Sequence, residues 1–249
     1  MKVIACYSNK GGVGKTATAV NLAYALASHG QRVLLCDLDP QGAAGFYFRV
    51  KPSQKLSGKR FFGDAERLAR AIRGSDYDGL DILPSNQAFR DFDVLLSRLK
   101  SPQSRLKRAL AALDHDYDVI LLDCPPGLST LSENVFRASD ALVVPVIPTT
   151  LSQRSLRQLM DFFRDNDMPT DRLIGLFSMV QTGKRLHKDI MTELRQSQAP
   201  LFLSATIQSS AEVERMGLER APVAAVLPAA SVSKAYAAAA LEICDRLGL

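Results

Sequence analysis

The sequence predicts an α/β fold, a doubly wound, mostly parallel sheet flanked by helices. Short apolar runs recur along the chain, helical patterns separate them, and the runs are apolar at successive positions rather than at every second one. A strand apolar on both faces must be covered on both faces, the situation of parallel strands joined by crossover helices. The runs lie at 3–7, 33–36, 80–83, 119–122, 141–146 and 173–180. The first helix is expected over 15–28, with Leu22 and Leu26 on one face and Gly30 as its stop. Further helices are expected near 64–73, 88–99, 103–113, 130–137, 152–165, 185–196 and 231–246. The least regular stretch is 42–62, rich in Gly, Ser and Lys, with aromatics at Phe46, Tyr47, Phe48, Phe61 and Phe62. It reads either as part of a basic face or as a flexible surface that orders on binding. No repeat or linker divides the chain, so residues 1–249 are expected to form a single domain.

Composition narrows the function classes. With 249 residues, 47% of them hydrophobic and 23% charged, the chain can bury a full core. No apolar run approaches the roughly 18 to 20 residues that span a bilayer, and the N-terminus lacks a signal-peptide pattern. A cytoplasmic location is expected. Cys6, Cys36, Cys124 and Cys244 are scattered without a CxxC pair, which speaks against zinc ribbons and disulfide frameworks.

The net charge of +5 is unevenly placed. Between Asp39 and Asp64 there is no acid, while Arg49, Lys51, Lys55, Lys59 and Arg60 supply five bases. Between Asp93 and Asp114 the pattern repeats with Arg98, Lys100, Arg105, Lys107 and Arg108. The 21 bases outside these segments are outnumbered by 26 acids, so the positive excess resides in the two segments. Such patches favour a polyanion.

The strongest motif is Lys10-Gly11-Gly12-Val13-Gly14-Lys15-Thr16, between the first strand and the first helix. Glycines let backbone N–H groups wrap a phosphate chain, and the helix N-terminus adds its positive dipole end. Lys15 is placed to reach the β and γ phosphates of ATP, and the Thr16 hydroxyl to ligate Mg²⁺. Gly11, Gly12, Val13, Gly14, Lys15, Thr16 and Ala17 form the expected nucleotide-binding set. The usual P-loop pattern has glycine where this chain has Asn9, and an additional lysine, Lys10, opens the loop. Asp37 and Asp39 follow the second run, and Asp123 ends the fourth. Three carboxylates at strand ends beside a P-loop point to a metal–phosphate site.

KGGVGKT, DLDPQG at 37–42 and LLDCPPG at 121–127 together resemble the ParA/MinD family of P-loop ATPases with a deviant Walker A motif, closest to the small ParA type. The resemblance extends over essentially the whole chain. It implies that Lys10 reaches across a nucleotide-sandwich homodimer to the partner's phosphates, that Asp39 orients the attacking water, and that Asp37 and Asp123 support Mg²⁺. Lys10, Lys15 and Asp39 are thus the implied catalytic set. It further implies slow ATP hydrolysis stimulated by an adaptor protein on a positioned cargo.

The chain departs from the family at 148–154, at 181–183 and at 211–222, where family members contribute DNA-binding arginines and adenine contacts. Arg215 and Arg220 are the local substitutes. Lys184, Arg185 and Lys188 share one side of a helical turn and are further candidates, as are Arg105, Lys107 and Arg108. Non-specific double-stranded DNA is the expected partner in the ATP state, and a nucleoid-associated location follows. No helix-turn-helix precedes the P-loop, so operator binding is not expected. The C-terminal segment carries Arg246 as its one base, with Ile243 and Leu247 on one face, and reads as a packed helix without stable membrane association. The alternatives are a membrane-associated positioning ATPase of the MinD kind and a metabolic P-loop enzyme.

Overall fold

A computed structural model describes residues 1–99 and 101–249; Lys100, counted in the second basic segment, lies outside the described residues. Eight strands form one sheet: β1 (Lys2–Cys6), β2 (Val33–Asp37), β3 (Arg73–Gly74), β4 (Leu80–Leu83), β5 (Val119–Asp123), β6 (Ala141–Val146), β7 (Leu173–Val180) and β8 (Phe202–Gln208). Their order is β3-β4-β2-β5-β1-β6-β7-β8, and every neighbouring pair is parallel except β3 and β4. The helices among the described residues are α1 (Lys15–Ser28), α2 (Ala43–Tyr47), α3 (Gly58–Gly63), α4 (Ala65–Ala69), α5 (Phe92–Ser97), α6 (Arg105–Ala111), α7 (Thr130–Ala138), α8 (Thr150–Asp165), α9 (Arg185–Ser197), α10 (Ala211–Glu219), α11 (Val223–Val226) and α12 (Ser231–Leu247).

The sheet separates two apolar layers, as the unbroken apolar runs require. Along β5, Val119 and Leu121 face a core shared with α1, α10, α11 and α12, while Ile120 and Leu122 face one shared with α3 to α9. Leu22 and Leu26 of α1 are buried in the first of these. Gly30 ends α1 in the left-handed region at φ +87°, its N–H donating to Ala27 O while Gln31 N–H donates to Leu26 O. That pair of bonds satisfies carbonyls the helix leaves open.

Several elements differ from the sequence expectation. Residues 42–62 contain α2 and α3, and Phe48, Phe61 and Phe62 are buried. Phe61, Phe62, Phe89 and Phe92 form one aromatic cluster with ring centres 4.3 to 5.3 Å apart. These rings are core, and the flexible-surface reading is corrected for them. The helix expected near 64–73 stops at Ala69, and Arg73 enters β3. The one expected near 88–99 divides into a 3₁₀ turn over Gln87–Asp91 and α5.

The edge strand β8 was missed because Ser204, Ala205 and Thr206 interrupt its apolar pattern. Its free edge is covered: the Glu242 carboxylate of α12 accepts hydrogen bonds from Ser204 and Ala205 N–H, both at 2.7 Å. Capping an edge in this way removes a template for further strand pairing.

Gly175 of β7 lies under the Phe202 ring, which stacks on Phe177 at 4.1 Å. A Cβ at 175 would stand 2.7 Å from two ring carbons. Gly175→Ala should therefore destabilise the fold by about 1–3 kcal/mol through forced displacement of the stacked pair. Chemical denaturation checks this, and an unchanged midpoint would show that the rings move freely.

Candidate nucleotide site

β1 is central, and at its carboxyl end the chain turns through residues 7–14 into α1. Gly12 and Gly14 adopt φ +72° and +86°, conformations that favour glycine. Cβ atoms built at Gly11 and Gly12 meet no heavy atom within 4 Å, so the loop faces open space there. Gly14 also lies close to Ser178, whose Oγ would be 3.2 Å from an added Cβ. No side chain caps the N-terminus of α1, which leaves its first N–H groups for a ligand.

Lys15 is 8% exposed and its Nζ donates to Lys10 O at 3.2 Å, so the ammonium folds back over the loop. Burial lowers its pKa, against the pull of Asp123. Lys10 uses its backbone in the loop, its N–H donating to Ser8 Oγ at 3.3 Å. Its ammonium has no hydrogen-bond or ion-pair partner among the described residues. Val13 is buried, and Ala17 O accepts from Asn21 Nδ2 at 2.8 Å.

The parallel register sets the carboxylates beside this loop. Asp123 at the end of β5 is level with Cys6 of β1 on one side and Asp37 of β2 on the other. Asp37 is fully buried, but its oxygens accept from Asp39 N–H at 3.1 Å, Ala44 N–H at 3.1 Å and Gly45 N–H at 3.5 Å. Burial still raises its pKa, with Asp123 adding to the rise. Asp39 is half-buried and accepts from Gln41 N–H at 3.0 Å through Oδ1.

Asp123 differs from both. It is fully buried and neither carboxylate oxygen has a hydrogen-bond partner. Burial pushes its pKa up to about 7; the adjacent Thr16 hydroxyl and Lys15 ammonium hold it back, and Asp39 raises it. A buried carboxylate without a donor is costly unless a cation completes it. One or two protein oxygens beside a phosphate-binding loop is the donor set Mg²⁺ takes, the remaining positions going to phosphate and water. Thr16 and Asp123 fit that ion.

Comparison with known proteins agrees with this geometry. Residues 1–170 match the family described as AAA domain. The sporulation initiation inhibitor protein Soj of Bacillus subtilis is 35% identical over 200 residues, covering 78% of this chain and 79% of that protein. The chromosome partitioning protein ParA of Caulobacter vibrioides is 30% identical over 254 residues, covering 99% and 95%. This chain belongs to the ParA/MinD family of P-loop ATPases. A cobyrinic acid a,c-diamide synthase from Mycobacterium smegmatis, solved with an ATP analogue and magnesium, superposes at TM-score 0.79 with 28% identity, covering 100% of this chain and 97% of that one. An ATP complex of a McdA variant from Cyanothece shares the fold at TM-score 0.82 with 19% identity.

The basic residues expected to share one face do not come together. Lys184, Arg185 and Lys188 open α9, beyond the carboxyl end of β7, and share the P-loop's edge of the sheet. Lys107 lines a cleft with Met1, Asp140 and Arg172, which precede β1, β6 and β7 at the opposite edge. Arg105 and Arg108 belong to the same short helix, α6, in one helical layer, whereas Arg215 and Arg220 lie in or just after α10 in the other. Within one subunit the sheet therefore separates Arg105, Lys107 and Arg108 from Arg215 and Arg220. Arg185 pairs with Asp189 at 3.7 Å and Arg215 with Glu219 at 3.3 Å, exposed contacts of small energy. Arg220 is bound to Phe46.

Asn21 escaped sequence reasoning. Its Oδ1 accepts from Val223 N–H at 2.8 Å and its Nδ2 approaches Met216 Sδ at 3.2 Å, which ties the P-loop helix to α10 and α11. The available signal was a side-chain amide one turn beyond Thr18, among the apolar residues of α1. Residues 211–227 line a cavity of about 400 Å³ beside it.

Lys15→Ala should abolish ATP binding, because the loop loses the cation that meets the β and γ phosphates; fluorescent-nucleotide titration checks this, and retained affinity would displace the site. Asp123→Asn should raise the thermal midpoint of the nucleotide-free protein by on the order of a few degrees and remove Mg²⁺-dependent stabilisation by ATP. The folded-state pKa is raised, so the wild type loses stability as pH climbs from about 4 through about 7, while asparagine does not titrate. The gap between variant and wild type should therefore widen from pH 6 to pH 8. Melting curves that stay parallel across this range would mean the carboxylate is already compensated.

Proposed function

We propose that this ATPase is a dimerising switch that binds non-specific DNA in its ATP state and positions an intracellular cargo. The observation that carries the reading is Lys10: a lysine inside a phosphate loop, its ammonium without a partner among the described residues of its own subunit. A cation so placed is available to the phosphates of a second subunit. Hydrolysis would then follow dimerisation, because the charge that offsets the transition state arrives with the partner.

Within one subunit, Lys15 would bind the phosphates, and Thr16 and Asp123 would hold Mg²⁺, which would supply positive charge against the phosphates. Asp39 orients the attacking water, and Asp37 holds the backbone from Asp39 to Gly45 in place beside it. Lys184, Arg185 and Lys188 are the favoured DNA contacts, since they stand at the edge that nucleotide and dimerisation remodel. A membrane role is less well supported: Val232, Tyr236, Ala239, Ala240 and Ile243 of α12 are buried on the sheet, and Arg246 donates to the carbonyls of Pro200, Leu201 and Phe202. Among the described residues no helix is long and apolar enough to cross a membrane. The partition role is supported by the name of the Caulobacter relative; an adaptor that stimulates hydrolysis and a nucleoid location in the cytoplasm belong to the same reading on the strength of the motif resemblance alone. The diamide synthase similarity supports a second reading, a small-molecule enzyme indifferent to DNA.

Binding to an arbitrary duplex with ATP, ADP or no nucleotide, across a salt titration, separates the two readings. Binding confined to ATP and falling steeply with salt is expected, and replacing Lys184, Arg185 and Lys188 by Ala should reduce the salt slope by about 2–3. Absence of binding in every state would overturn the DNA reading. Asp39→Ala should retain ATP-dependent DNA binding while turnover stops. Wild-type hydrolysis by that variant would place water activation elsewhere.

A further inference from the structure

Helices α2 and α10 end in an unusual way. The glycine-terminated α1 shows the ordinary solution, with Gly30 in the left-handed region. At the end of α2 the same two bonds recur: Val50 N–H donates to Gly45 O at 3.1 Å and Arg49 N–H to Phe46 O at 3.2 Å. The left-handed residue is now Arg49, at φ +59°. At the end of α10, Arg220 N–H donates to Met216 O at 2.7 Å with Arg220 at φ +49°. Side chains rarely adopt this conformation, and glycine fills it at lower cost.

The two arginines face each other and exchange their guanidinium groups. Arg49 Nε donates to Arg220 O at 3.3 Å, and Arg220 Nε donates to Phe46 O at 3.0 Å. The Arg220 guanidinium also lies 4.6 Å from the centre of the Phe46 ring. Each cation thus sits against the carbonyl end of the other's helix, where the dipole favours positive charge. Phe46 itself is 49% exposed, so the core that buries its neighbour Phe48 does not fix the Phe46 ring, and Arg220 is what covers it.

The clasp joins two segments that matter for turnover. On one side, Asp37 accepts from Ala44 and Gly45 N–H, and Gly42 N–H donates to Asp39 O. On the other, Met216 and Val223 are bonded to Asn21 of the P-loop helix. Together they close a ring: P-loop helix, α10–α11, α2, and the loop bearing Asp39.

We propose that Arg220 and Arg49 are positioning residues for ATP hydrolysis, the clasp holding the 37–50 segment, and with it Asp39, in register with the P-loop helix. This rests on the reading of Asp39 given above. It reassigns Arg220 from DNA contact to alignment of the site.

The test compares Arg220→Gly, Phe46→Ala, their double variant and Arg220→Lys with wild type, measuring kcat and KM for ATP, thermal midpoint and ATP-dependent DNA binding. Arg220→Gly keeps a residue suited to φ +49°, so the midpoint should hold while kcat falls about ten-fold and KM stays within about two-fold. Phe46→Ala should show the same split, the double variant should be no slower than either single one, and Arg220→Lys should recover part of the rate. Unchanged kcat in both single variants overturns the proposal. So does loss of ATP-dependent DNA binding at normal kcat, which would make Arg220 a phosphate contact. Asp39→Ala, assayed in parallel, separates the levels: if it stops turnover while Arg220→Gly does not, the clasp alone fails, and if it hydrolyses normally, the reading of Asp39 fails with it.

Discussion

At the end of the fifth strand a carboxylate is buried with no hydrogen-bond donor, and the rest of the site is arranged around it. Asp123 sits level with Cys6 and Asp37 because β5 pairs in parallel with β1 on one side and β2 on the other. The folded chain thus carries an uncompensated acid next to its glycine loop, a cost that a bound cation would remove. Lys15, the nearest ammonium, is spent on Lys10 O and only partly offsets it. Ligand binding and local stability are consequently one equilibrium.

The three acids divide the work by the partners the backbone gives them. Asp37 is consumed by N–H groups of the segment that follows it, so it shapes the loop. Asp39 keeps one oxygen in a local turn and remains half-exposed, its other oxygen free of that turn. The Asp123 carboxylate has no backbone partner among the described residues. Residue type alone could not separate these roles, since all three are aspartates at strand ends.

The loop between Asp39 and Val50 is held from its far end by the arginine exchange with α10. That linkage places a segment distant in sequence, residues 211–223, in contact with both the P-loop helix and the hydrolytic loop.

Much of this was legible before any coordinates. Six apolar runs, the glycine pattern at 11–14 and the acids at 37, 39 and 123 are local signals, because strand burial and phosphate wrapping act over a few neighbouring residues. β8 was illegible because polar residues interrupt its pattern and its edge is satisfied by Glu242, 37 and 38 residues away from the amides it caps. The aromatics of 46–62 looked like surface in a Gly/Lys-rich stretch, yet Phe61 and Phe62 are core, their partners Phe89 and Phe92 lying far along the chain. The basic residues singled out along the sequence likewise lie apart in the fold, since Lys107, Lys184 and Arg215 stand at three different elements. Sequence by itself determined the fold class and the phosphate site, whose physics is short-range. Tertiary structure alone decided which acid stands unpaired, which cations share an edge and what holds Phe46, because these depend on strand order and on contacts between segments the chain separates.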